Sequence, residues 1–225
     1  MLVNKFPYIK LTRETINGKR LYLCPDGSRV SSVTTILAAT KSEDSKQALS
    51  NWRKRVGLAK ATEITVESSG RGTRMHTFLE NYIRDGNLGA PGSNLYSIQA
   101  HKMASKIIEK ELSKVTTFYG SEVSLLYPGL YAGATDLVAE YEGEIIIGDY
   151  KQSNRKKKEE WVEDYRNQLV AYILAHNKMY GTTINRGIIM MCTPDLEFQK
   201  FEVTKDMFEH YSQEWWRRVS EYYNV

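Results

Sequence analysis

The stretch Gly133-Ala-Thr-Asp136-Leu-Val-Ala-Glu-Tyr141-Glu142-Gly143-Glu144-Ile-Ile-Ile-Gly-Asp149-Tyr150-Lys151 decides the fold. Residues 137–141 and 145–148 are short apolar and β-branched runs that read as two β-strands. Glu142-Gly143 lies between them as a tight turn. With a two-residue loop Tyr141 pairs with Glu144, and counting back sets Asp136 opposite Asp149. Opposed residues share a face, with Cβ atoms roughly 5 Å apart. The strand period adds Lys151 to that face and turns Tyr150 to the other. A three-residue loop would shift the register by one and set Asp136 against Tyr150. Glutamate is a poor first residue for a type I′ turn. The reading therefore requires a two-residue loop, or a bulge that restores parity.

Two carboxylates that close repel each other unless a cation joins them. Oxygen donors of this kind suit Mg²⁺ or Mn²⁺ better than zinc. Such a metal polarises a phosphoryl oxygen and helps generate hydroxide from water. A lysine alongside can orient or deprotonate that water, or offset charge gathering on phosphorus. The pattern Asp136, twelve intervening residues, then Asp149-x-Lys151 thus points to phosphodiester chemistry. The alternative is a surface hairpin with incidental acids.

Two further segments carry a resemblance. Arg71-Gly-Thr-Arg74-Met-His76-Thr-Phe-Leu-Glu80 has the G-x-x-x-H-x-x-x-E pattern, and Gln168-Leu-Val-Ala-Tyr172 has the Q-x-x-x-Y pattern. With the hairpin acids and Lys151 they occur in the order found in RecB-like nucleases of the PD-(D/E)xK superfamily, which the chain resembles. Ser31-Ser32-Val-Thr34-Thr35-Ile-Leu37 and Arg71-Gly-Thr73 are similar to the branch holding the mitochondrial genome maintenance exonuclease and its phage relatives. Four ordered motifs together are far more specific than any one.

The resemblance implies an α/β fold: a central mixed β-sheet flanked by helices, with a restriction-endonuclease-like core and a helical N-terminal elaboration. It implies metal ligands His76, Asp136, Asp149 and the Tyr150 carbonyl, with Mg²⁺ or Mn²⁺ as cofactor. Lys151 is then the catalytic lysine, Gln168 and Tyr172 support the site, and Glu80 and Glu122 lie just outside the ligands. Contacts to DNA would come from Ser32, Thr34, Thr35, Arg71, Arg74, Gln152, Ser153 and Lys156. The implied substrate is single-stranded DNA with a free end, with replication or recombination proteins as further partners. Two departures stand out. The chain has only Cys24 and Cys192, so an iron–sulfur variant needing four cysteines is excluded. Gln152 follows the lysine where many relatives have threonine.

The helical periodicity supports these placements. Over residues 73–84, Met75, Phe78, Leu79, Tyr82 and Ile83 form one stripe, with His76 and Glu80 together at its edge. Taken alone, His76 also reads as a histidine flanking the core and bonded to Glu80. Gln168 and Tyr172 share a face of a helix expected over residues 159–180, where a self-satisfied polar pair is the competing reading.

The 225 residues suit one domain: an N-terminal hairpin (1–30), a helical part (31–116), a catalytic sheet and helix (117–204) and a C-terminal helix (205–225). Asn17-Gly18 marks the hairpin turn, and Ser31 or Ser32 caps a helix running to about residue 40. The amides and hydroxyls of that helix start read equally as a phosphate contact or as ordinary capping. Helices follow over 43–57, 58–69 (ending before Gly70-Arg71-Gly72), 73–84 and 95–115. Strands at 117–127, 133–141, 145–151, 184–193 and 196–204 complete the sheet. Arg155-Lys-Lys-Lys158 reads as a phosphate grip beside the site or as a solvated loop. Fifteen tyrosines supply rings that can stack on unpaired bases, although core packing accounts for most of them.

A net charge of +4 and an apolar content of 41% fit a globular protein and are compatible with nucleic acid without pointing to it. Two distant cysteines form no disulfide framework. No run approaches the roughly 20 apolar residues of a membrane span. The start, Met1-Leu-Val-Asn-Lys-Phe-Pro-Tyr8, carries no signal or transit character, so the expected setting is the cytoplasm of a bacterium or a phage-infected cell. No GxxxxGK[ST] loop is present, so no ATP site is expected.

Overall fold

A computed structural model describes residues 2–225. Its strands are β1 (Thr12–Ile16), β2 (Lys19–Leu23), β3 (Arg29–Ser32), β4 (Val115–Tyr127), β5 (Tyr131–Tyr141), β6 (Glu144–Gln152), β7 (Gly187–Cys192) and β8 (Phe198–Val203). Its helices are α1 (Val33–Ala39), α2 (Glu43–Val56), α3 (Leu58–Asp85), α4 (Leu95–Lys110), α5 (Glu163–Tyr180) and α6 (Lys205–Tyr223). The eight strands form one mixed sheet in the order β1-β2-β3-β5-β6-β7-β8, with β4 paired to β5. None of the helices described is long and apolar enough to cross a membrane.

The β5–β6 register is the expected one. Tyr141 pairs with Glu144 and Leu137 with Gly148. Glu142 (φ 52°) and Gly143 (φ 82°) are both left-handed, as a type I′ turn demands. The unfavourable glutamate is held there by the flanking ladder and by Arg186, whose Nη2 lies 2.8 Å from the Glu142 carboxylate. Side chains then alternate: Val138 and Ile147 join the core under α5 and α6, while Leu137, Ile146 and Tyr150 join the core under α3 and α4. The β6–α5–β7 unit is a parallel crossover, which lays α5 across the face that carries Asp149 and Lys151.

Two features differ from the sequence expectation. The helices expected at 58–69 and 73–84 are one 28-residue helix, α3, running straight through Gly70 and Gly72. Each internal glycine costs about 1 kcal/mol against alanine, but tertiary contacts outweigh that. Met75, Phe78, Leu79 and Ile83 bury one stripe, and the Arg71 guanidinium bonds to Gln152 and Gln99 at 2.6 and 3.1 Å. Gly72 also brings the helix close to the end of β6, where a Cβ on it would lie 3.7 Å from that of Gln152.

The second difference is β3, read from sequence only as the approach to a helix cap. Ser31 and Ser32 pair in parallel with Tyr131 and Ala132 of β5. Since β4 occupies the other edge of β5 along its length, β3 and β6 share one edge. Between them the edge of residues 133–136 is open, and the sheet forks there. Glycine at 133 lets the Tyr172 ring fill part of the fork: a Cβ would stand 2.5 Å from Tyr172 Cε1.

Candidate active site

Asp136 sits at the closed end of this fork. Beyond Leu137–Gly148 the backbone ladder stops, and side chains take its place. Thr135 Oγ1 donates to the Gly148 carbonyl (3.1 Å), and the Tyr150 amide donates to Asp136 Oδ2 (2.6 Å). Charge-assisted bonds from backbone amides hold a buried carboxylate in its ionised form. His76 reaches in from α3, its Nε2 3.0 Å from the Tyr150 carbonyl and its Nδ1 3.2 Å from Asp136 Oδ1. The carbonyl accepts only from a protonated Nε2, so it is Nδ1 that faces the acids. Glu122 of β4 completes the group, 3.9 Å from Nδ1. It falls opposite Asp136 of β5, between the pairs Ser121–Leu137 and Val123–Thr135, and adopts a left-handed φ of 50°. A non-glycine residue in that region marks local strain of order 1–3 kcal/mol.

Asp149 lies on the far side of Asp136, buried and in an ion pair with the ammonium of Lys151. That ammonium stands 5.1 Å from the centre of the Tyr165 ring. Tyr165, Gln168 and Tyr172 share one face of α5, and Gln168 Nε2 donates to the Tyr172 hydroxyl at 2.9 Å. Sequence reading missed Tyr165, although its spacing of three and seven residues from the two flagged positions marks it.

The charges set one another. Burial disfavours the His76 cation, but Asp136 and Glu122 outweigh it and raise His76 to about 10. Burial likewise works against the Asp136 anion, yet His76, Lys151 and the Tyr150 amide bring its pKa below the usual value. Asp149 goes the other way: burial and the Asp136 charge outweigh Lys151 and push it up to about 6. Burial disfavours the Lys151 cation too, but Asp149 and Asp136 raise its pKa, so it stays protonated at neutral pH.

His76 Nδ1 and oxygens of Glu122 and Asp136 all lie within 4.8 Å of one another, a donor set that can hold a divalent ion. One imidazole with carboxylate oxygens fits Mn²⁺ or Mg²⁺. Glu122, expected just outside the ligands, belongs to this group, whereas the expected ligand Asp149 is turned to Lys151. The Tyr150 carbonyl is bonded to His76. Glu80 stands half-buried, its pKa raised first by burial and then by the Glu122 charge. It makes no hydrogen bond to His76, whose bonds go to Asp136 and Tyr150.

Of the expected DNA contacts, several face inward. Arg71 is buried and its guanidinium is spent on amide oxygens of Gln152, Gln99 and Asn154, so it pins the segment after β6 to α3 and α4. Gln152 is the acceptor in that contact, and buried Ser153 donates to the Arg155 carbonyl. Ser32 is the N-cap of α1, accepting from the Thr35 amide at 3.0 Å, with Thr34 and Thr35 hydroxyls against it. Lys156 pairs with Glu197, and Arg155 and Lys158 lie over Trp161. Arg74 is exposed and caps back onto the Gly70 carbonyl. The open basic surface is instead on α2, which buries none of its side chains. A cleft of about 830 Å³ runs from Gln168 and Tyr165 past Thr34 to Lys41, Lys46, Arg53 and Lys54.

No protein-family model matches the chain. Mitochondrial genome maintenance exonuclease 1 of Mus musculus is 26% identical over 205 residues, covering 86% of this chain and 59% of that protein. Its Homo sapiens counterpart is 26% identical over 207 residues, covering 86% of this chain and 58% of that one. The chain thus spans under two thirds of the length of these curated relatives. A crystal structure from Eubacterium rectale, provisionally described as an exonuclease, superimposes with a TM-score of 0.49 at 14% identity, over 70% of this chain and 68% of that one. Over most of its own length the chain is therefore similar in sequence to the mitochondrial genome maintenance exonucleases, a likeness consistent with a PD-(D/E)xK-like nuclease.

Proposed function

We propose that the protein is a metal-dependent deoxyribonuclease that hydrolyses phosphodiester bonds of single-stranded DNA from a free end. The observation that carries this reading is the group His76, Glu122 and Asp136 at the sheet fork, with the Asp149–Lys151 pair against it. The names of the relatives support the exonuclease mode, and the cleft beside α2 supports a single strand, since it offers four cations and an apolar wall to one backbone.

A divalent ion held there would supply Lewis acidity toward a phosphoryl oxygen and lower the pKa of water. The chain's own residues supply the rest. Asp136, fixed by the Tyr150 amide, and Glu122 give the negative field that draws in the cation. Lys151 is protonated, so it acts as a hydrogen-bond donor and point charge toward the phosphate rather than as a base. Asp149 and Tyr165 hold that ammonium in place. Gln168 and Tyr172 form the polar floor on which the backbone is laid.

The test uses end-labelled single-stranded DNA with Mg²⁺, Mn²⁺ or EDTA, for wild type, Asp136→Ala and Lys151→Ala. Cleavage should need the metal and fall at least 10²-fold in either variant. Cleavage in EDTA, or activity that survives Asp136→Ala, refutes the mechanism. Circular single-stranded DNA should stay intact; its degradation would assign an endonuclease.

A further inference from the structure

A second cleft borders the acids. The N-terminal segment before β1 is stitched to β4 at two points: Val3 N donates to the Phe118 carbonyl at 2.8 Å, and Leu11 N to Ser124 Oγ at 3.3 Å. Between those points the segment and β4 line a cavity of about 960 Å³, at the upper end of the roughly 300–1,000 Å³ of ligand sites. It shares no lining residue with the α2 cleft. Its walls include half-buried Tyr8 and buried Tyr22 and Tyr119, its rim carries exposed Lys10 and Arg13, and its one acid is Glu122. Tyr22 pairs directly with Arg13 across the β1–β2 hairpin, so both lie on one face. Neither Lys10 nor Arg13 has an ion-pair partner among the described residues; the neighbouring Glu14 is taken by Arg29 at 2.7 Å. Ser121 Oγ, on the same wall, has no hydrogen-bond partner either.

We propose that this cleft is a second subsite for single-stranded DNA, holding the bases on the side of the scissile phosphate away from α2. The inference rests on the nuclease reading and extends it. Glu122 is both a wall of the cleft and a member of the His76–Asp136 group, so an occupant is contiguous with the strand at the site. Two cations free for phosphates, beside the half-buried ring of Tyr8, are what an unpaired strand recognises. A duplex presents no free base faces to such a slot.

Affinity for fluorescein-labelled dT20 is read by anisotropy in EDTA, so binding is measured without cleavage. Lys10→Glu with Arg13→Glu, both exposed, should weaken it about tenfold and raise KM in the Mg²⁺ assay. A dT20 carrying one 5-iododeoxyuridine should photo-crosslink to Tyr8. Equal affinity of variant and wild type, or crosslinks confined to Tyr165 and the α2 cleft, overturns the subsite. Loss of affinity in the variant with no cleavage by either protein leaves the subsite standing and overturns the nuclease reading. Failure of wild type to bind dT20 overturns both.

Discussion

Gly133→Ala tests the fork directly. The new Cβ would stand 2.5 Å from Tyr172 Cε1 and 3.2 Å from its Cζ and hydroxyl oxygen. Ordinary carbon contact begins near 3.5 Å, so ring or strand must retreat by roughly 1 Å. The strand has little freedom, because Gly133 is paired with Leu125 inside the β4–β5 ladder, flanked by the pairs Ser124–Ala134 and Leu126–Ala132. Nor can the ring swing out, since Tyr172 is 3% exposed and accepts a hydrogen bond from Gln168. Overpacking of this kind costs about 1–3 kcal/mol, which at roughly 2–4 °C per kcal/mol for a chain of this size lowers Tm by about 2–12 °C. Removing the ring removes the clash. Tyr172→Ala is destabilising by itself, but adding Gly133→Ala to it should cost almost nothing, a coupling of about 1–3 kcal/mol in the double-mutant cycle. Thermal melts of the four proteins measure it. An unchanged Tm for Gly133→Ala, or strictly additive effects, would refute the fork packing. Activity should fall about 10²-fold in the single variant, because a shift near 1 Å in a positioning group has that consequence.

The strained Glu122 backbone and the crowded acids give two further expectations. Glu122→Gly relieves the left-handed φ of 50° and removes one carboxylate, so the metal-free protein should melt higher while the Tm rise on adding Mn²⁺ shrinks; a lower Tm in EDTA would count against the strain. His76 is raised from 6.5 to about 10, so its contribution to stability is full below pH 6.5 and is lost as pH rises toward 10. Asp149, raised to about 6, has the same sign at lower pH, its contribution being lost between about pH 4 and 6. Melts in EDTA should therefore fall from pH 6.5 to 9.5 for wild type and much less for His76→Ala, and parallel curves for the two proteins would show that His76 carries no such charge.

The sequence alone determined what period and local turn chemistry control. A two-residue turn between alternating strands sets the face of Asp149, Lys151 and Tyr150, and β6 obeys it. Helical spacing put His76 at the edge of a buried stripe and Gln168 one turn from Tyr172, and both hold. These are relations among near neighbours, fixed once strand or helix forms. What the tertiary structure decided is non-local. The fork exists because β3, contributed from a hundred residues earlier in the chain, takes one end of a β5 edge whose other end is held by β6. Arg71 turns inward because amides from α4 and from the end of β6 converge on it, and those same contacts carry α3 through two glycines. Glu122 comes to within 3.9 Å of His76, and Asp149 pairs with Lys151, through a left-handed residue in β4 and an ion pair beneath α5. Each depends on which surfaces meet across the sheet, and a side chain's partners there follow from the packing of whole elements rather than from the pattern of its own segment.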